Sequence, residues 1–111
     1  MSNPLADMEK PDVIFCIGTN MTECHPVAAT GLKKAIARGA KLIVADPRRI
    51  KLAELADVYL PIRVGSDVAL LLAMAHVIER EGLVDHEFIA QRTAGWESFC
   101  QHLKAFTPGW A

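Results

Sequence analysis

Apolar and polar residues fall into blocks along this chain, and the period changes from block to block. Val13-Ile14-Phe15-Cys16-Ile17 is a continuous apolar run between Asp12 and Gly18, the pattern of a strand covered on both faces. Gly18 to His25 is more polar and reads as a loop, and Pro26 suits the first turn of a helix. In that helix Ala28, Leu32 and Ile36 recur at four-residue spacing, as do Val27, Gly31 and Ala35. Lys33, Lys34 and Arg38 take the wet side, and Gly39 ends the helix. Lys41 to Ala45 is a second buried strand, closed by Asp46-Pro47, and Ile50 to Ala56 is a short helical connection. Val58 to Ile62 is a third strand, whose second half Pro61 turns into an edge or an irregular end. Gly65-Ser66-Asp67 opens an apolar helix over 68–80, expected to be the most buried of the chain, which Gly82 ends. Asp85 to Gln91 and Trp96 to Lys104 read as two further helices.

Strand–helix–strand–helix order implies parallel pairing through right-handed crossovers. The expected class is α/β: three layers, with a short parallel sheet and helices on both faces. One domain is expected over 1–111, residues 86–111 forming a helical extension of it. The 111 residues are 51% apolar but only 6% aromatic, so the core is one of Ala, Leu, Ile and Val. The formal charge of −1, with no basic stripe, argues against nucleic acid or an anionic membrane as partner. Cys16, Cys24 and Cys100 form no C-x-x-C pair, so neither a zinc nor an iron–sulfur site is encoded in this stretch. Unpaired thiols suit a reducing compartment, and a cytoplasmic location is expected. Residues 1–10 have no apolar core of the kind a signal peptide needs. The run over 68–78 is broken by His76 and is far shorter than the about 20 residues of a membrane span.

A parallel sheet binds ligands beyond the carboxyl ends of its strands, which singles out three loops. The first, Gly18 to His25, leads into a helix N-terminus, where free N–H groups favour an anion. It has one glycine where a dinucleotide fingerprint has three. The second starts with Asp46, placed to accept bonds from ribose hydroxyls, with Arg48 and Arg49 as forks for phosphate. The plainer reading is a turn at Asp46-Pro47 with solvated arginines. In the third, Ser66 is an N-cap and Asp67 a first-turn carboxylate. Asp67 also matches the paired N–H and amino group on a guanine edge. His76, within the apolar helix, reads as a core histidine with its hydrogen bond satisfied. Cys24-His25 lacks the orienting third group of a nucleophile–base pair, and no catalytic residue is assigned.

Taken in order, Ile17-Gly18-Thr19-Asn20-Met21-Thr22-Glu23-Cys24-His25-Pro26, Gly39 to Arg49, Leu55-Ala56-Asp57 and Gly65 to Leu71 resemble one family. So do Met1-Ser2-Asn3-Pro4 with Ala6-Asp7 at the start, and Arg92-Thr93, Gly95 and Thr107-Pro108 near the end. The resemblance is to the large catalytic subunit of molybdenum- or tungsten-dependent formate dehydrogenases, among the molybdopterin oxidoreductases. It implies a Rossmann-like domain that holds one guanosine arm of a bis(molybdopterin guanine dinucleotide) cofactor. By that resemblance Gly18, Thr19, Asn20, Glu23 and His25 line the dinucleotide. Asp46 and Arg48 contact ribose and phosphate, and Gly65, Ser66 and Asp67 the guanine.

The family's iron–sulfur cysteines, and its cysteine or selenocysteine on the metal, have no counterpart among these 111 residues. The expectation is therefore an internal fragment, inactive alone, whose partners are the remaining domains of the parent subunit and electron-transfer subunits. Apolar surface left on such a piece makes self-association an expectation too. The alternative is an independent small module for NAD or GTP. Against it stand the missing glycines of the NAD fingerprint and the absent G-x-x-x-x-G-K-[ST] of a GTPase.

Overall fold

Five apolar residues in a row form β1, Val13–Ile17, and Lys41 followed by four apolar residues forms β2, Lys41–Ala45. The computed structural model describes residues 4–110. Met1, Ser2 and Asn3, part of the family resemblance, lie outside the described residues. A third strand, β3, covers Val58–Leu60 and stops before Pro61, a residue confined to edges and ends of strands. All pairing is parallel, in the order β1-β2-β3, with Cys16 opposite Val44 and Val44 opposite Tyr59. The expected α/β class with a short parallel sheet is what the chain forms.

The helices are α1 (Met21–Cys24), α2 (Pro26–Ala37), α3 (Lys51–Glu54), α4 (Asp67–Arg80), α5 (His86–Arg92) and α6 (Trp96–Leu103). A 3₁₀ turn at Leu5–Glu9 precedes them. The last three fall within one residue of their expected bounds. The first does not: residues 18–25 were expected to be loop throughout, yet Met21–Cys24 closes a helical turn. Asn20 starts it by accepting from the N–H groups of Glu23 (3.2 Å) and Cys24 (2.9 Å). By its contacts the chain divides into two compact units, Met1–Arg63 and Val64–Ala111.

In the first unit the alternation of the strands sorts the side chains. Cys16, Leu42 and Val44 point to one face, where they join Leu32 of α2, Leu52 and Ala53 of α3, and Ile50. Met21 and Tyr59 pack against this cluster. With the strands in chain order, crossovers of one hand bring their helices to the same side, and α1, α2 and α3 all feed this one core. Val13 and Val58, of opposite parity, remain largely exposed. At the amino ends of the strands Asp57 clamps the start of β2. Its Oδ2 accepts from the Leu42 N–H (2.9 Å), its Oδ1 pairs with Lys41 Nζ (2.8 Å), and its N–H donates to the Leu42 carbonyl (2.8 Å).

The second unit is α4, α5 and α6. Asp85 caps α5 by accepting from the Phe88 N–H at 2.9 Å. His76 of α4 bonds through Nδ1 to the carbonyl of Leu103 on α6 at 2.9 Å, so it is the satisfied histidine expected. The burial of α4 is not as expected. Within it only Ala73 is buried, whereas Leu71, Val68 and Ile78 are exposed. The most buried helix is α2, through Ala29, Leu32 and Ala35, while Val27 is exposed. The reason is the width of the apolar surface. The strip on α2 is narrow enough for one sheet face to cover, whereas α4 is apolar on most sides.

Candidate functional site

The carboxyl ends of the three strands are knitted together around Asp46. Gly18, the first residue past β1, donates its N–H to the carbonyl of Ala45 at 3.0 Å. Its φ of +57° is a conformation that suits glycine. A Cβ there would meet nothing within 4 Å, so the glycine serves the turn and leaves open space above it. Asp46 donates its N–H to the carbonyl of Leu60 at 3.2 Å, and its own carbonyl accepts from the Tyr59 hydroxyl at 3.0 Å. The structure thus brings the first two candidate loops to one edge of the sheet.

Asp46 is 5% exposed and is the one buried polar residue among those described. Its Oδ1 accepts from the Arg48 N–H at 2.8 Å, so the turn expected as the plainer reading is present. No buried side-chain nitrogen or oxygen among the described residues lacks a partner, and Arg48 is the one donor to this carboxylate. The second oxygen therefore keeps some solvent contact on a residue that is otherwise covered. A carboxylate fixed by its own turn, with the exposed Arg48 and Arg49 beside it in sequence, offers an acceptor for a hydroxyl and donors for a neighbouring phosphate.

In the first loop the side chains turn toward one another. Asn20 Nδ2 donates to Glu23 Oε2 at 2.8 Å, and the Thr22 hydroxyl donates to Asn20 Oδ1 at 3.2 Å. Thr19 is half-buried, and His25 is exposed at the junction of α1 and α2. The helix that opens straight after the loop is α1, and Pro26 leaves α2 without its first N–H. The loop therefore runs into α1 first, and not directly into α2 as expected. Cys24 is exposed, and among the described residues no hydrogen bond joins it to His25.

Gly65, Ser66 and Asp67 belong to the second unit. Gly65 has a φ of +86°, Ser66 is the residue before α4, and Asp67 is its exposed first residue. Ser66 is in the N-cap position, yet its side chain makes no capping bond. Its carbonyl accepts from the Leu70 N–H at 3.0 Å. The residue that sequence reasoning missed is Tyr59. Pro61 was its signal, since a proline that ends the neighbouring strand leaves a carbonyl on β2 in need of another donor.

The parallel sheet in the order β1-β2-β3, with a buried aspartate just past its central strand, places the chain among the α/β proteins. The comparisons narrow that class. A family model described as molybdopterin oxidoreductase matches residues 1–107. Over 108 residues the chain is 41% identical to formate dehydrogenase H of Escherichia coli strain K12, covering 97% of this chain and 15% of that protein. It is 45% identical over 111 residues to the F420-dependent formate dehydrogenase subunit alpha of Methanocaldococcus jannaschii, covering 100% and 16%. Among solved structures, acetylene hydratase from Pelobacter acetylenicus superimposes with a TM-score of 0.81 at 41% identity, covering 86% of this chain and 13% of that one. The chain belongs to the molybdopterin oxidoreductase family. It spans about a sixth of the length of the curated relatives it matches. Among the described residues no helix is long and apolar enough to cross a membrane.

Proposed function

We propose that this chain is the part of a molybdenum- or tungsten-dependent formate dehydrogenase that grips one guanosine arm of a bis(molybdopterin guanine dinucleotide). On this reading it contributes binding and no chemistry. The observation that carries it is Asp46, fixed at the end of β2 with one carboxylate oxygen outward, in a chain similar from end to end to formate dehydrogenases. The residues fit the arm: an outward acceptor for a ribose hydroxyl, two arginines for phosphate, and a turn at Gly18 with no Cβ in the way.

Asp46 and Arg48 hold the ribose and phosphate. Gly18, Thr19, Asn20, Glu23 and His25 line the dinucleotide, and Gly65, Ser66 and Asp67 take the guanine. When bound in the full-length parent, the cofactor supplies the metal and its redox chemistry. The iron–sulfur cluster and electron-transfer subunits also belong to the parent, which operates in the cytoplasm. The exposed apolar residues of α4 match a helix that further protein covers.

The test is a titration of the chain with GDP and with ADP, for wild type and Asp67→Asn. Asparagine keeps the size of the side chain but replaces one acceptor with a donor that opposes guanine's own. A mismatch of that kind costs about 1–3 kcal/mol. Wild type should bind GDP more tightly than ADP, and the variant should lose the preference. Equal weak binding of both nucleotides by both proteins would leave Asp67 a first-turn charge and nothing more.

A further inference from the structure

The carbonyl of Asp46 marks the place where the strand ladder runs out. In a parallel pair, a residue whose N–H donates to the partner strand accepts in turn from an N–H two residues further along that partner. Asp46 donates to the carbonyl of Leu60, so the matching donor is the N–H of Ile62. Pro61 stops β3 at Leu60, and the Tyr59 hydroxyl takes that place, donating to the Asp46 carbonyl at 3.0 Å. A carbonyl on a residue this buried needs such a partner. Tyr59 stands opposite Val44 in the register, and its ring packs against the cluster of Leu42, Val44 and Leu52. Packing therefore aims the hydroxyl. Asp46 is held at three points: N–H to β3, carbonyl from Tyr59, and Oδ1 from the Arg48 N–H.

We infer that Tyr59 is a positioning residue for the nucleotide site: its hydroxyl locks the Asp46-Pro47-Arg48 turn and so fixes the outward carboxylate oxygen for a ribose hydroxyl. This rests on the nucleotide-arm reading above. Tyr59 touches no ligand on this account and acts through Asp46 alone. It is the single tyrosine in the sequence, and Tyr59→Phe removes the hydroxyl while keeping the ring in the core.

Two measurements on wild type and Tyr59→Phe test it. The first is hydrogen exchange of the Arg48 N–H without ligand, with the Leu32 N–H of α2 as the reference for global opening. The second is binding of GDP against 2′,3′-dideoxy-GDP, which lacks the ribose diol. Arg48 should exchange roughly fivefold faster in the variant, the factor set by one net hydrogen bond, with Leu32 unchanged. Wild type should prefer GDP to the dideoxy form by about tenfold, as for a hydrogen bond to a charged group, and the variant should lose most of that preference. An unchanged Arg48 rate, or a variant that keeps the ribose preference, overturns the proposal. So does equal acceleration of Arg48 and Leu32, which would make the hydroxyl a general stabiliser. Wild type that binds neither nucleotide overturns the nucleotide-arm reading, and the Arg48 rates then decide the Tyr59 anchor alone.

Discussion

Leu32→Ala and Leu71→Ala make the same chemical change on two helices, and the structure assigns them very different consequences. Leu32 is 0% exposed at the centre of the cluster formed by Cys16, Leu42, Val44, Ile50, Leu52 and Ala53. Truncation removes three carbons beyond Cβ, about 2.4 kcal/mol of transfer free energy at about 0.8 per carbon. The closely packed cluster around it leaves little room to collapse, so a cavity term adds to this. The total should be about 3–4 kcal/mol, inside the range of about 2–5 for buried Leu→Ala changes. Leu71 is 45% exposed, and its truncation should cost about 1.3 kcal/mol by the same area argument. Urea unfolding of the two variants at low protein concentration, where self-association cannot bury Leu71, gives both values. Equal losses, or a larger loss at Leu71, would refute the assignment of the core to α2.

Three further outcomes follow from named contacts. The Lys41 hydrogen bond and then the Leu42 N–H hold the Asp57 carboxyl below its ordinary range. A carboxyl lowered in the folded state lends stability above about pH 4 and loses it as pH falls through the lowered value. The melting temperature should therefore drop on acidification, and Asp57→Asn should flatten that decline. Burial covers Cys16 and pushes its thiol up, whereas Cys24 is exposed, so a chromogenic disulfide should react with Cys24 in the folded chain and with Cys16 only after denaturation. Gly18→Ala should lower stability by about 1–2 kcal/mol through its left-handed backbone rather than through a clash, measurable by the same urea unfolding.

How far the sequence reveals these features differs from one residue to the next. The strands at Val13–Ile17 and Lys41–Ala45 were legible because four or five apolar residues in a row, bounded by a polar residue or glycine, are too short for a helix and suit a strand. Asp46 was legible as the polar residue that closes such a run. His76 was legible as a hydrogen-bonded histidine, since a lone histidine on an apolar helix finds a carbonyl, although it is half-buried and not part of the core. The burial of α4 was not legible. An apolar helix is equally apolar whether this chain or further protein covers it, and hydropathy does not tell the two apart. The α1 turn was hidden because Met21–Cys24 is too short for a period, its start resting on bonds to the Asn20 carbonyl. The role of Tyr59 required the register of β3 against β2, which Pro61 suggests but does not fix. The hydrogen bonds that gather Gly18 and Asp46 at one sheet edge depend on the strand register, which residue types alone do not give.

The central claim is that the Asp46 edge of the sheet takes a guanosine arm, and amide shift mapping of the ¹⁵N-labelled chain with millimolar GDP tests it most directly. The account predicts that the largest changes fall on Gly18 to Asn20, on Asp46, Arg48 and Arg49, and on Gly65 to Asp67. Changes confined to α5 and α6, or no change at any of these amides, would contradict it.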